Sequence, residues 1–123
     1  MAFEWKNYLG VASHLISCEQ EELCKDALMR SAASRAYYAA YGEAWNYAIK
    51  HYGDHKNEKP EDHILLRDIY KRNKRIDVAM FLDELRGWRN KCDYEDDVSN
   101  AEKLATSALQ RAKNLLAKLK ITG

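Results

Sequence analysis

From Glu19 to Tyr52 the chain runs without a proline and with a single glycine, Gly42, while small and apolar residues recur at intervals of three and four. Side chains at that interval share one face of an α-helix, so the segment predicts one long helix ending near Gly53. Ala33, Ala40, Ala44 and Ala48 form one stripe along it, and Ser34, Tyr38, Tyr41, Trp45, Ile49 and Tyr52 form another. A helix with two packed faces belongs at the centre of its fold. The third stripe is polar in its later half, at Glu43, Asn46 and Lys50, but consists of Ala32, Ala36 and Ala39 in its earlier half. That early half is expected to meet another helix or another chain.

The remaining segments supply partners for this helix. Trp5, Tyr8, Leu9, Ala12, Leu15 and Ile16 share a face and predict helix one, and Ser17 with Gln20 reads as a capping box opening helix two. The polar stretch from His51 to Lys59 predicts a loop. Pro60 suits the first turn of a third helix over Glu61 to Lys71, where a missing N–H costs nothing. Val78, Leu82, Leu85, Trp88 and Cys92 predict the buried stripe of helix four. Ser99 and Glu102 read as a second capping box, and Ala101, Leu104, Ala105, Ala108, Ala112, Leu115 and Leu119 give helix five its inner face. No alternating strand pattern competes. The expectation is an all-α fold: one domain over residues 1–123, an up-and-down bundle of about five helices around a long second helix.

Composition narrows the function. The net charge is +1 with 32% charged residues, so contact with a polyanion has to be local. Cys18, Cys24 and Cys92 form no CxxC pair, which argues against a disulfide framework or zinc site and fits a reducing cytoplasm. His51, His55 and His63 lack the Cys or acidic companions that would complete a metal site, so neither metal nor cofactor is expected. No apolar run reaches the about 18 residues that would span a bilayer, and Met1 to Lys6 carries no leader pattern, so no membrane association is expected. The basic run Lys71 to Arg75 reads as a solvated linker, with phosphate contact as its alternative.

Chemistry concentrates in two segments, one from Arg30 to Tyr41 and one from Arg86 to Asp97. On a straight helix Arg89 and Asp93 lie four apart and form an ion pair, while Tyr94 points away from Arg89. Tyr94 joins Arg89 only if the helix ends or bends between Cys92 and Glu95. The plain structural reading makes Arg86, Arg89 and Asp93 a polar network, with Ser34, Arg35 and Tyr38 locking helix two to helix four.

The order Ser34-Arg35-Ala36-Tyr37-Tyr38-Ala39, then Leu85-Arg86-Gly87-Trp88-Arg89-Asn90-Lys91-Cys92-Asp93-Tyr94, resembles the HEPN superfamily, the higher-eukaryote and prokaryote nucleotide-binding domains. It is most similar to the small stand-alone prokaryotic members with S-R-A-Y-Y-A and R-x-x-A-D-Y motifs. The resemblance implies an up-and-down bundle and a two-fold homodimer with the arginine motif near its seam. It also implies, for many members, a metal-independent ribonuclease acting as a toxin beside a minimal nucleotidyltransferase antitoxin.

Family catalysis uses an Arg, a polar residue and a His; Arg89 and Asn90 match the first two, and Tyr94 stands where the His is expected. A phenol, titrating ordinarily near pH 10, offers little base at working pH, whereas imidazole titrates near neutrality. The resulting expectation is a nucleotide- or RNA-binding module that uses Arg86, Arg35, Ser34, Tyr38 and Asp93, without full ribonuclease chemistry. Two alternatives stand beside it. One is an active ribonuclease of a toxin–antitoxin or phage-defence pair, with Arg89, Asn90 and Tyr94 as its catalytic set. The other is a helical dimerisation domain in which both motifs only pack.

Overall fold

A computed structural model of the chain describes residues 3–18 and 22–121. Five helices follow in order: α1 (Asn7–Ser17), α2 (Glu22–Tyr52), α3 (Asp62–Arg72), α4 (Ile76–Tyr94) and α5 (Ala101–Lys118). There is no strand among the described residues. The long second helix is the axis of the up-and-down bundle and packs against every other helix, most extensively α5 and α1. Ala33, Ala40, Ala44 and Ala48 are completely buried, as the two-faced pattern requires.

The early alanine face finds its partners inside the chain. Ala32, Ala36 and Ala39 are fully buried in the monomer, so this stripe meets helices of the same chain and offers no surface to a second copy. Small side chains let helix axes approach to roughly 8 Å, which is what a central helix with four neighbours needs. Helix two stops where Gly53 takes a φ of 73°, the left-handed conformation that closes helices at low steric cost.

The helix ends differ in detail from the sequence pattern. The Ser17–Gln20 capping box falls at Gln20 outside the described residues, and Ser17 closes α1 with its hydroxyl donating to the His14 carbonyl at 3.1 Å. At α5 the cap is Asn100, not Ser99: its side-chain oxygen accepts from the Lys103 N–H at 3.1 Å while its φ of 58° lies in the left-handed region. Asn tolerates that region better than Ser, so the cap moves one residue along.

Gly42 is a point of close approach. The segment before α1 folds back onto α2, where the Lys6 N–H donates to Glu43 Oε1 at 3.0 Å and Phe3, Trp5 and Tyr8 form an aromatic cluster. A Cβ at position 42 would overlap Trp5. Gly42→Ala is therefore expected to lower stability by about 1–2 kcal/mol, because displacing Trp5 outweighs the about 1 kcal/mol that alanine adds to a helix interior. Urea unfolding checks it, and a raised midpoint would show that helix propensity wins.

Candidate functional site

The site forms where the middle of α2 crosses the C-terminal half of α4, and its centre is the Arg89 guanidinium. Arg89 is held from several directions. Nη2 donates to the Tyr38 hydroxyl at 2.8 Å, and Nη1 donates to Asn90 Oδ1 at 3.2 Å. Nε lies 2.7 Å from Asp93 Oδ2, an ion pair whose N–H is not aligned for a hydrogen bond. The guanidinium carbon lies 5.4 Å from the Tyr38 ring centroid, 5.5 Å from that of Tyr94 and 6.0 Å from that of Tyr37. A planar cation placed among ring faces and one carboxylate is fixed in orientation, and with its side chain 20% exposed it still meets solvent.

Tyr94 reaches Arg89 because the helix stops. The chain leaves α4 immediately after Tyr94, with Glu95 extended at φ −96° and ψ 132°. The clamp that holds this end is Arg30 of α2, whose guanidinium donates to the carbonyls of Cys92, Glu95 and Asp96 and pairs with Asp26. A helix terminus leaves its last carbonyls without partners and carries partial negative charge, so a cation there answers both needs. Nothing in the local sequence signals this clamp except the presence of Arg30 itself, because its targets lie 62 to 66 residues away.

Two concavities flank the arginines. Arg86, Arg89, Asn90, Lys91, Tyr94 and Glu95 line an open cleft of about 530 Å³. On the other side, Arg86 and Arg89 line a pocket of about 320 Å³ together with Tyr37, Tyr38, Tyr41 and His63. The two guanidiniums thus form a ridge between the hollows. Arg86 makes no hydrogen bond or ion pair among the described residues, so its charge is uncommitted. Tyr94 is 71% exposed at the mouth of the cleft. Burial, reinforced by Tyr41, pushes the Tyr37 phenol well above its ordinary value, so this ring stays neutral and serves as an apolar floor.

The sequence-derived candidates divide. Arg86, Arg89, Asn90 and Tyr94 line the cleft, and Tyr38 and Asp93 hold Arg89. Ser34 and Arg35 do not join them: Ser34 is buried, and the Arg35 guanidinium lies 5.2 Å from the Tyr8 ring centroid, against α1. In the basic run, Arg72 pairs with Asp54 and Arg75 with Asp77, which leaves Lys71 and Lys74 as its uncommitted exposed cations. No cluster of three or more His, Cys, Asp or Glu residues is placed to hold a metal ion among the described residues. Burial raises the Cys92 thiol, which makes it an inert packing residue.

Sequence reasoning missed two residues, Arg30 and His63. In the sequence His63 stands out only beside His51 and His55 as a metal candidate, and its place on the arginine pocket depends on how the loop before α3 folds. The chain matches no protein-family model, no curated protein and no solved structure.

Proposed function

We propose that this chain is a HEPN-type module that binds RNA through its backbone phosphates on Arg86 and Arg89. The observation that carries this reading is the pairing of an oriented guanidinium with an uncommitted one on a ridge open to both sides. Guanidinium forks match phosphate oxygens in two-point contacts, and exposed aromatic rings beside them stack on unpaired bases. Tyr94 and Lys91 border the same cleft and supply a ring and a further cation. With a net charge of +1 the protein has no broad electropositive field, which favours a short local contact with single-stranded RNA.

The order of the two motifs supports the family assignment, and the meeting of their residues Tyr38 and Arg89 at 2.8 Å gives that order a physical meaning. The same reading carries a homodimer built on a face other than the buried alanine stripe, a cytoplasmic location and a small nucleotidyltransferase as partner. Among the described residues, no helix is long and apolar enough to cross a membrane.

The test is fluorescence anisotropy with a single-stranded RNA oligonucleotide at two salt concentrations, with ATP as competitor. Arg86→Ala and Arg89→Ala are each expected to weaken RNA binding by about tenfold, the worth of one charge-assisted contact. Arg86→Ala should also lower the slope of affinity against salt by about one. RNA affinity equal to wild type in both variants overturns the reading.

A further inference from the structure

We propose that the end of the bundle where α3 and α5 stop and α4 begins docks on an anionic lipid bilayer, with Lys71, Lys74 and Lys120 on the headgroup phosphates and Ile76 and Met80 entering the lipid. None of these residues lines either hollow of the arginine ridge, and the proposal does not rest on the RNA-binding reading.

The two helices that stop here close in the same way. At α3 the Lys74 N–H donates to the Lys71 carbonyl at 3.1 Å and the Arg75 N–H to the Tyr70 carbonyl at 2.8 Å. At α5 the Lys120 N–H donates to the Ala117 carbonyl at 2.9 Å and the Ile121 N–H to the Leu116 carbonyl at 2.8 Å. Both closures turn on a residue in the left-handed conformation, Lys74 at φ 62° and Lys120 at φ 57°. Glycine enters that region without steric cost, and the chain uses it in this role after α2, at Gly53. A lysine at each of the other two closures gives up that ease and places an ammonium there instead.

Tertiary contacts bring these ends together. Arg75 Nη2 donates to the Lys118 carbonyl at 3.0 Å, Asp77 pairs with both Arg75 and Lys118 at 3.5 Å, and Arg72 pairs with Asp54 just beyond α2. Lys71, Arg72, Lys74, Arg75, Lys118 and Lys120 are six cations against the two carboxylates Asp54 and Asp77, which leaves +4 on this end. The whole chain carries +1, so the rest of it sums to −3 and charge is segregated toward one end. Arg75 already answers the carbonyl need at the close of α5, while Lys71, Lys74 and Lys120 are exposed and make no ion pair among the described residues. The next carboxylates along α3 and α4, Asp68 and Asp83, both face Arg67 and do not cancel the patch.

Apolar side chains select the occupant. Ile76 and Met80 lie one turn apart at the start of α4 and are 58% and 57% exposed, more than any other large apolar side chain described except Tyr94. An anionic bilayer uses both features, since its headgroups attract ammonium groups and its acyl boundary takes up aliphatic side chains. A nucleic-acid strand would use the lysines and stack its bases on rings, but Phe81, the ring next to Met80, is covered by Arg111 and Lys118. Attachment at a surface needs no spanning helix, and none is present among the described residues.

Sedimentation with sucrose-loaded vesicles tests this, one set of phosphatidylcholine alone and one carrying about a quarter phosphatidylserine. Wild type is expected to bind the anionic vesicles at least about tenfold more tightly than the neutral ones, and less tightly as salt rises. Lys74→Gly combined with Lys120→Gly should weaken that binding by about 25-fold, about fivefold for each charge removed. Because glycine suits both positions, the urea midpoint of this variant should be no lower than that of wild type, so the loss does not come from unfolding. Ile76→Ser and Met80→Ser should each weaken vesicle binding by at least about threefold at fixed charge, with RNA affinity within about twofold of wild type in every variant. Wild type that treats both vesicles alike or binds neither, or either kind of variant binding vesicles as wild type does, overturns the proposal. So does a lysine variant that keeps vesicle affinity and loses RNA affinity, which would assign the basic end to nucleic acid.

Discussion

Arg30→Ala is expected to lower the unfolding free energy by about 2–3 kcal/mol and to weaken the proposed RNA binding by about tenfold, although Arg30 does not line the cleft. The stability loss follows from three carbonyls at the end of α4 that share this one guanidinium, together with the Asp26 carboxylate that faces it. Hydrogen bonds to a charged donor each contribute more than neutral ones, and the Arg30 side chain is only 19% exposed, so water replaces them poorly. The functional loss follows from what the clamp positions. Without it the last turn of α4 frays, and Asp93 and Tyr94 sit on that turn. Arg89 then loses its ion pair and one of its ring neighbours and samples orientations that do not serve a phosphate. Arg30→Lys should recover only part of both losses, since an ammonium presents no planar fork to several carbonyls at once. Urea unfolding and RNA anisotropy on the same preparations read the two effects. An unchanged midpoint with unchanged affinity would show that α4 ends where it does for local reasons alone.

The comparison of Arg30 with Arg89 shows where the sequence was informative. Periodicity revealed every helix, because burying a face imposes a regular spacing that any reader of the chain can find. It also placed Arg89 and Asp93 on one face, and their ion pair follows. The condition for Tyr94 to join them, an ending of α4 between Cys92 and Glu95, was legible too. What ends the helix was not, since a tertiary clamp from α2 leaves no periodic trace. Arg35 shows the same limit in reverse: it neighbours Ser34 in the motif that names the site, yet its helical phase turns it toward Tyr8. His63 depends on the buried Asp62 that folds its loop. An acidic residue two positions after a proline was the available signal, and it marks a helix start more readily than a site. The early alanine stripe left a choice between a helix and a second chain, and packing density within the bundle decided it.

Trp45→Ala is expected to cost about 3–5 kcal/mol in urea unfolding, the largest effect on stability of the substitutions considered. Trp45 is fully buried on the central helix, and the adjacent stripe of Ala40, Ala44 and Ala48 has no side chain long enough to fill the space it would leave. A void there persists, because α2 is held by all four other helices and cannot shift toward any one of them without leaving another. Trp45→Phe should cost much less, about 1 kcal/mol. It loses volume, but it also removes an indole N–H that is buried without an aligned hydrogen bond, a defect that itself costs about 1–3 kcal/mol. The two substitutions separate stability from site geometry. Trp45 lies two turns along α2 from Tyr38; its indole N–H faces the Tyr41 hydroxyl at the edge of the tyrosine-floored pocket but makes no hydrogen bond or ion pair with Arg86 or Arg89, so the folded fraction of Trp45→Ala should bind RNA within about threefold of wild type. Arg30→Ala, with a smaller stability loss, should bind worse. If Trp45→Ala instead weakened RNA binding as much as Arg30→Ala does, the loss in both would come from a loosened bundle, and the clamp would have no special hold on the site.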